Sequence, residues 1–122
     1  MPLRDQIEEL AARADKPFTK ADRDLFAVFK SAGRVRSAEP DSSAPTGWRV
    51  NTWVKQGILL GFRLGALVDM SANGALRFFD KDTYPVRPLT TADEVRIVPG
   101  GSSIRDGSFI ARGVVCMPPR GR

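Results

Sequence analysis

Between Val98 and Cys116 the chain carries an apolar residue at every sixth position (Val98, Ile104, Ile110, Cys116) and a glycine at every sixth position (Gly101, Gly107, Gly113). Helices repeat at 3.6 residues and strands at 2, so neither explains this spacing. A chain that turns a corner every six residues does explain it. Glycine accepts the positive φ that a corner demands, and the aliphatic residue points into a narrow interior. Three hexads then make one coil of a parallel β-helix, with Cys116 as an interior plug and not a nucleophile. The alternative at this point is a β-meander, in which Asp106-Gly107 and Arg112-Gly113 are ordinary hairpin turns.

The preceding residues obey the usual periods. Leu3, Ile7, Leu10, Ala11 and Ala14 recur at helical spacing, and Arg4 with Glu8 forms an i,i+4 pair on the polar side. Thr19 with Asp22 three residues on predicts a capped second helix with Leu25, Phe26 and Phe29 on its apolar face, ended by Gly33. Arg34 to Ala38 and Trp48 to Val50 read as short strands around the loop Glu39 to Gly47. Asn51 or Thr52 then caps a third helix to about Leu64, in which Trp53, Val54, Ile58, Leu59, Leu60 and Phe62 cover most of the circumference. Lys55, Gln56 and Arg63 form its polar side, while Gly57 and Gly61 permit another backbone to come close. Val68 to Met70 and Ala75 to Phe79 flank an Asn-Gly turn, and a proline-containing connector from Lys81 to Asp93 crosses the surface without regular structure.

Composition excludes several kinds of chemistry. A single cysteine and no histidine cannot supply a disulfide, a zinc site or a Cys/His pair, so no metal is expected and any proton transfer falls to carboxylate, lysine, tyrosine, substrate or water. The net charge of +5 comes from 19 basic and 14 acidic residues scattered singly, without the clustered cations or stacking aromatics of a nucleic-acid binder. The longest apolar run, Gly57 to Phe62, is far short of the roughly 20 residues of a membrane span, and Met1 to Asp15 mixes both charge signs, unlike a signal peptide. The expectation is a cytoplasmic protein with neither membrane nor nucleic acid as partner.

The blocks Trp53, Lys55, Leu59-Leu60 and Phe62-Arg63, then Phe79-Asp80-Lys81, then Arg96-Ile97-Val98-Pro99, Arg105, Gly107, Phe109-Ile110-Ala111-Arg112 and Met117-Pro118 resemble the tetrahydrodipicolinate N-succinyltransferases in content, order and spacing. The resemblance covers about Gly47 to Pro118, and the first two helices agree in kind more than in sequence. It implies an α+β chain: a mixed helical N-terminal domain with short strands and connector over 1–93, followed over 94–122 by the first coil of a left-handed β-helix. The handedness is a property of the family, against the usual right-handed crossover. It further implies a homotrimer with no permanently bound cofactor, acting in lysine and diaminopimelate biosynthesis. Such enzymes transfer succinyl from succinyl-CoA to the amine of ring-opened tetrahydrodipicolinate by direct attack, relying on positioning and oxyanion stabilisation.

In that family many more coils follow, carrying the catalytic acidic residue and the CoA groove, whereas this chain stops at Pro119-Arg120-Gly121-Arg122. The expectation is a truncated, inactive fragment with its catalytic and CoA-binding residues elsewhere. A non-enzymatic trimerising module and a small basic nucleic-acid-binding domain are the competing readings. One site residue is carried over: Arg96 matches the arginine that binds a substrate carboxylate where the β-helix begins, and the opposing view is a strand arginine facing solvent or paired with Glu94. Arg105 and Arg112 either line a groove between subunits or point to water. Lys55 and Arg63 read as a solvated or ion-paired face, and Asp80 as a partner of Lys81 or of turn amides.

Overall fold

The computed structural model describes residues 1–13, 17–32, 35–71, 74 and 77–118. It divides into two compact units, Met1–Ala66 and Leu67–Arg122. The first holds helix α1 (Leu3–Ala12), helix α2 (Lys20–Ser31), the antiparallel pair β1 (Ala38–Pro40) and β2 (Trp48–Val50), and helix α3 (Thr52–Leu64). The second holds the antiparallel pair β3 (Leu67–Asp69) and β4 (Phe79–Lys81), a 3-10 turn η1 (Thr91–Asp93), and the parallel pair β5 (Arg96–Ile97) and β6 (Val115–Cys116). Helices and short strands paired in separate two-stranded sheets make this an α+β chain.

In the first unit the capping box forms as its spacing predicts: Asp22 N–H donates to Thr19 Oγ1 at 3.3 Å, and Thr19 N–H donates to Asp22 Oδ2 at 2.8 Å. Ile7 and Leu10 of α1, Phe26 and Phe29 of α2, and Val54, Leu60 and Leu64 of α3 are buried together. Burying a side chain of this size contributes roughly 1.5 to 3 kcal/mol, so these seven dominate the stability of the unit. The helix ends are closed from a distance. Arg63 donates to Ala11 O at 3.0 Å, Arg23 to Leu64 O at 2.6 Å, and Arg13 to Asp22 Oδ1 at 2.6 Å. Cations at helix C-termini meet both orphan carbonyls and the negative end of the dipole.

Several sequence expectations are corrected here. The third helix is not buried over most of its circumference: Val54, Gly57, Leu60, Gly61 and Leu64 form one narrow stripe, and Ile58 and Leu59 face outward. A three-helix unit of this size has only one side to offer α3. Gly57 makes room for a ring and not for a backbone, since a Cβ there would stand 2.5 Å from Phe29 Cζ. Asn51 stands at the N-cap position of α3 without a side-chain cap bond, because its amide donates instead to Arg36 O at 2.8 Å. The first hairpin strand begins at Ala38, where Glu39 pairs with Arg49 across the ladder and with it fixes the register Ala38↔Val50, Pro40↔Trp48. Ala14, Gly33 and Arg34 lie outside the described residues.

In the second unit β3 starts one residue earlier than predicted, at Leu67, and β4 starts four residues later, at Phe79. Phe79 opens β4 instead of ending it, and Asp69 pairs with Phe79. Polar side chains lengthen the intervening loop: Asp69 accepts from Ser71 N–H at 2.9 Å and from Arg77 at 3.0 Å, and Ser71 Oγ accepts from Phe78 N–H at 2.9 Å. Ala72, Asn73 and Ala75, on which the predicted Asn-Gly turn depends, are outside the described residues. The connector is more ordered than expected. Thr83 and Tyr84 are buried, and Val86 bridges Arg105, with Arg87 N–H donating to Ile104 O and Asp106 N–H to Pro85 O, both at 2.8 Å. Prolines limit regular structure there but leave these amides free to pair.

Both six-residue registers are realised. Val98, Ile104, Ile110 and Cys116 are buried or half-buried, whereas Ile97, Ser103, Arg105, Phe109, Ala111, Val115 and Met117 beside them are exposed. Gly101, Gly107 and Gly113 take φ of 107°, 92° and 82°. Arg96 N–H donates to Val114 O at 3.0 Å and Val98 N–H to Cys116 O at 2.9 Å, so the backbone returns alongside itself after eighteen residues. The ladder is parallel, unlike that of a hairpin meander.

Candidate functional site

The second unit presents three arginines around its parallel ladder, and they differ in what they hold. Arg105 is committed: Nε and Nη2 both lie 2.9 Å from Asp80 Oδ2. Asp80 in turn accepts the Lys81 backbone N–H, and that bond first, with Arg105 adding to it, keeps its carboxyl below the ordinary aspartate value. Asp80 thus does what the sequence suggested, accepting a turn amide, and Arg105 is its ion-pair partner.

Arg112 Nη1 lies 3.5 Å from Glu94 Oε2 on an exposed surface. Glu94 is therefore engaged, and by a different arginine than the one two residues along. It adopts φ 54°, the left-handed region, as the C-cap of η1, and its carbonyl accepts Gly113 N–H at 2.8 Å. Such a conformation is uncommon for a residue with a Cβ and persists where surrounding bonds fix it.

Arg96 begins β5 in register with Val115 and is exposed. Its backbone is fixed by the ladder, and its guanidinium has no hydrogen-bond or ion-pair partner among the described residues. A planar donor fork on a rigid strand and open to solvent matches a carboxylate or another planar anion. The arrangement can bind and orient an anion.

The other residues singled out from sequence lie elsewhere. In the first unit, Arg63 caps α1 and stacks 5.9 Å from the Phe18 ring centroid, and Lys55 is exposed on α3. Sequence reasoning missed the Glu94–Arg112 pair and buried Tyr84, whose phenol is pushed up to about 12 by desolvation, against a small lowering by Arg105. Thr90 and Asp93 form a capping box that their spacing, threonine with aspartate three residues on, offered as a signal for where the connector stops. Cys116 is half-buried, in keeping with a packing role.

No described helix is long and apolar enough to cross a membrane. A helical module and a segment of short paired strands with positive-φ glycines define an α+β protein. Residues 3–64 match the family model for the N-terminal domain of tetrahydrodipicolinate N-succinyltransferase, and the chain belongs to that family. The match falls on α1 to α3, including the two helices in which the sequence blocks were least specific. Among curated relatives, the 2,3,4,5-tetrahydropyridine-2,6-dicarboxylate N-succinyltransferase of Leptothrix cholodnii is 46% identical over 91 residues, 71% of this chain and 32% of that protein. Its counterpart in Delftia acidovorans is 41% identical over 111 residues, 88% of this chain and 39% of that protein, and the Herminiimonas arsenicoxydans protein is 39% identical over 90 residues, 70% and 31%. The chain spans about a third of the length of these relatives.

Proposed function

We propose that this chain serves a CoA-dependent N-succinyltransferase of lysine and diaminopimelate biosynthesis. Its part is the N-terminal domain over 1–93 and the opening coil of a left-handed β-helix from residue 94, within a cytoplasmic homotrimer. Succinyl-CoA and tetrahydrodipicolinate are the substrates of this reading, with no permanently bound cofactor. The family match and the names of the relatives support the activity, and the eighteen-residue return with its glycine corners supports the coil.

The observation that carries the reading to a residue is Arg96, an exposed guanidinium on a ladder-fixed backbone with no partner among the described residues. The acceptor is a dicarboxylate, and in the ring-opened form its free amine must reach the thioester carbon. Arg96 binds one carboxylate by two parallel hydrogen bonds, which orients the amine and converts an encounter of two substrates into a positioned attack. No acyl-enzyme is needed, since the amine itself displaces CoA.

The test joins residues 1–118 of this chain to the remainder of the Leptothrix cholodnii enzyme and measures acceptor-dependent CoA release. A hydrogen bond to a charged group is worth about 1.5 to 3 kcal/mol, so Arg96→Ala raises the acceptor KM roughly ten- to hundredfold and leaves the succinyl-CoA KM nearly unchanged. Arg96→Lys recovers part of the loss, because an ammonium keeps the charge without the fork. Wild-type acceptor kinetics in both variants would make Arg96 a structural strand residue.

A further inference from the structure

Glu94 and Arg96 are separated by one residue, which places their α-carbons within about 7 Å, a span their long side chains easily cross. Nearness in sequence alone predicts that they pair. The structure shows otherwise: left-handed backbone at Glu94, held by the Gly113 N–H on its carbonyl, accompanies a carboxylate directed to Arg112. The Arg112–Glu94 pair is exposed, its side chains retaining 77% and 61% of their accessibility, and exposed pairs add little to stability. Its consequence is that Arg96 keeps no carboxylate partner among the described residues.

We infer that Arg112 is a positioning residue for the anion site at Arg96, holding Glu94 away from the guanidinium that would otherwise bind it. The inference rests on the proposed role of Arg96. A carboxylate two residues distant competes intramolecularly, at an effective concentration on the order of millimolar. Its negative charge also repels an incoming dicarboxylate. Removing Arg112 therefore acts on acceptor affinity through Glu94, and the signature is rescue when Glu94 loses its charge.

In the joined enzyme described above, Arg112→Gln raises the acceptor KM about fivefold, as expected for competition worth one exposed ion pair, with kcat and the succinyl-CoA KM held. Adding Glu94→Gln to that variant returns the acceptor KM to the parent value. An unchanged KM in Arg112→Gln, or a rise that Glu94→Gln does not reverse, overturns the inference. Arg96→Ala separates the two ideas: if it weakens the acceptor while Arg112→Gln does not, only the role of Arg112 falls, and if Arg96→Ala has no effect, the reading of Arg96 falls first. A second readout needs no turnover. Titrating the 122-residue chain with pimelate and following the Arg96 Nε–H resonance should require several times more pimelate in Arg112→Gln, and again parent levels in the double variant. Equal titrations in all three proteins contradict the inference.

Discussion

The two units are of similar length but are held by different means. Met1–Ala66 is organised by side chains: seven apolar residues are buried among three helices, and arginines seal the helix ends. In Leu67–Arg122, Tyr84 and Ile104 are the buried hydrophobic residues among those described, and order comes from backbone ladders, glycine corners and a connector bonded to the second hexad. A core tolerates an altered loop but not a lost methylene. A ladder tolerates altered side chains but not an altered backbone angle. The contrast predicts which substitutions each unit will notice.

The sharpest way to break it is a matched truncation. Both tryptophans, Trp48 and Trp53, lie in the first unit, and the single tyrosine, Tyr84, lies in the second, so each unit carries its own optical reporter. Leu60 is fully buried, and Leu60→Ala is expected to cost about 2 to 5 kcal/mol, lowering the urea midpoint seen by tryptophan fluorescence. Ile104→Ala, among neighbours that are only half-buried, should fall at or below the low end of that range and register through Tyr84. If the two truncations displace both signals equally, the distinction between units disappears.

A smaller effect is expected at Gly57, where a methyl group would collide with the Phe29 ring. Overpacking of this kind costs about 1 to 3 kcal/mol and alanine returns up to about 1 through helix propensity, so Gly57→Ala should still lower the tryptophan-detected midpoint. A neutral or stabilising result would mean that Phe29 yields readily and that the core is looser than its burial suggests.

Gly113 is the converse case, with open space around it and φ of 82°. Gly113→Ala therefore meets no atom and pays only for its backbone angle, about 1 kcal/mol, which should appear as faster amide exchange at Arg96 and Val98. Unchanged protection there would show that the corner does not depend on glycine.

The smallest effects are electrostatic. Tyr84 ionises at about 12 in the folded chain against 10.0 ordinarily, so the fold favours the neutral phenol. That contribution is complete below pH 10 and is lost as pH rises towards 12, and tyrosinate absorbance should report the opening of the second unit in that window. Asp80 has the opposite sign. Its carboxyl lies below the ordinary value because of the Lys81 amide and Arg105, so its contribution is full above the usual carboxylate range and fades as pH falls through the depressed value. Asp80→Asn should remove that acid sensitivity from amide exchange at Arg105, and a variant as acid-sensitive as the parent would exclude Asp80 as its source.

What was legible in the sequence follows the range of the interactions. Thr19 with Asp22, the helical spacing of Ile7 and Leu10, and the six-residue registers are local, and all appear in the structure. Strand limits depended on contacts that spacing does not encode. Phe79 opens β4 because Asp69, Ser71 and Arg77 close the loop with their side chains, and β1 begins at Ala38 because Glu39 meets Arg49. Arg63 and Arg105 looked like surface cations until Ala11 and Asp80, 52 and 25 residues away, were seen to receive them. At the candidate site the sequence selected Arg96 and left open whether it faces solvent or pairs with Glu94. Only the left-handed turn at Glu94 and the return of Arg112 beside it separate the two.

The eighteen-residue return also limits how this part of the gene can change length. Because Arg96 meets Val114 and Val98 meets Cys116, losing one residue between them shifts the pairing by one and turns the later side chains to the opposite face. Insertions and deletions are thus best accepted as loops extruded at a glycine turn, where no strand partner is displaced. Point substitutions face no such limit, so this segment should drift in composition far more freely than in length.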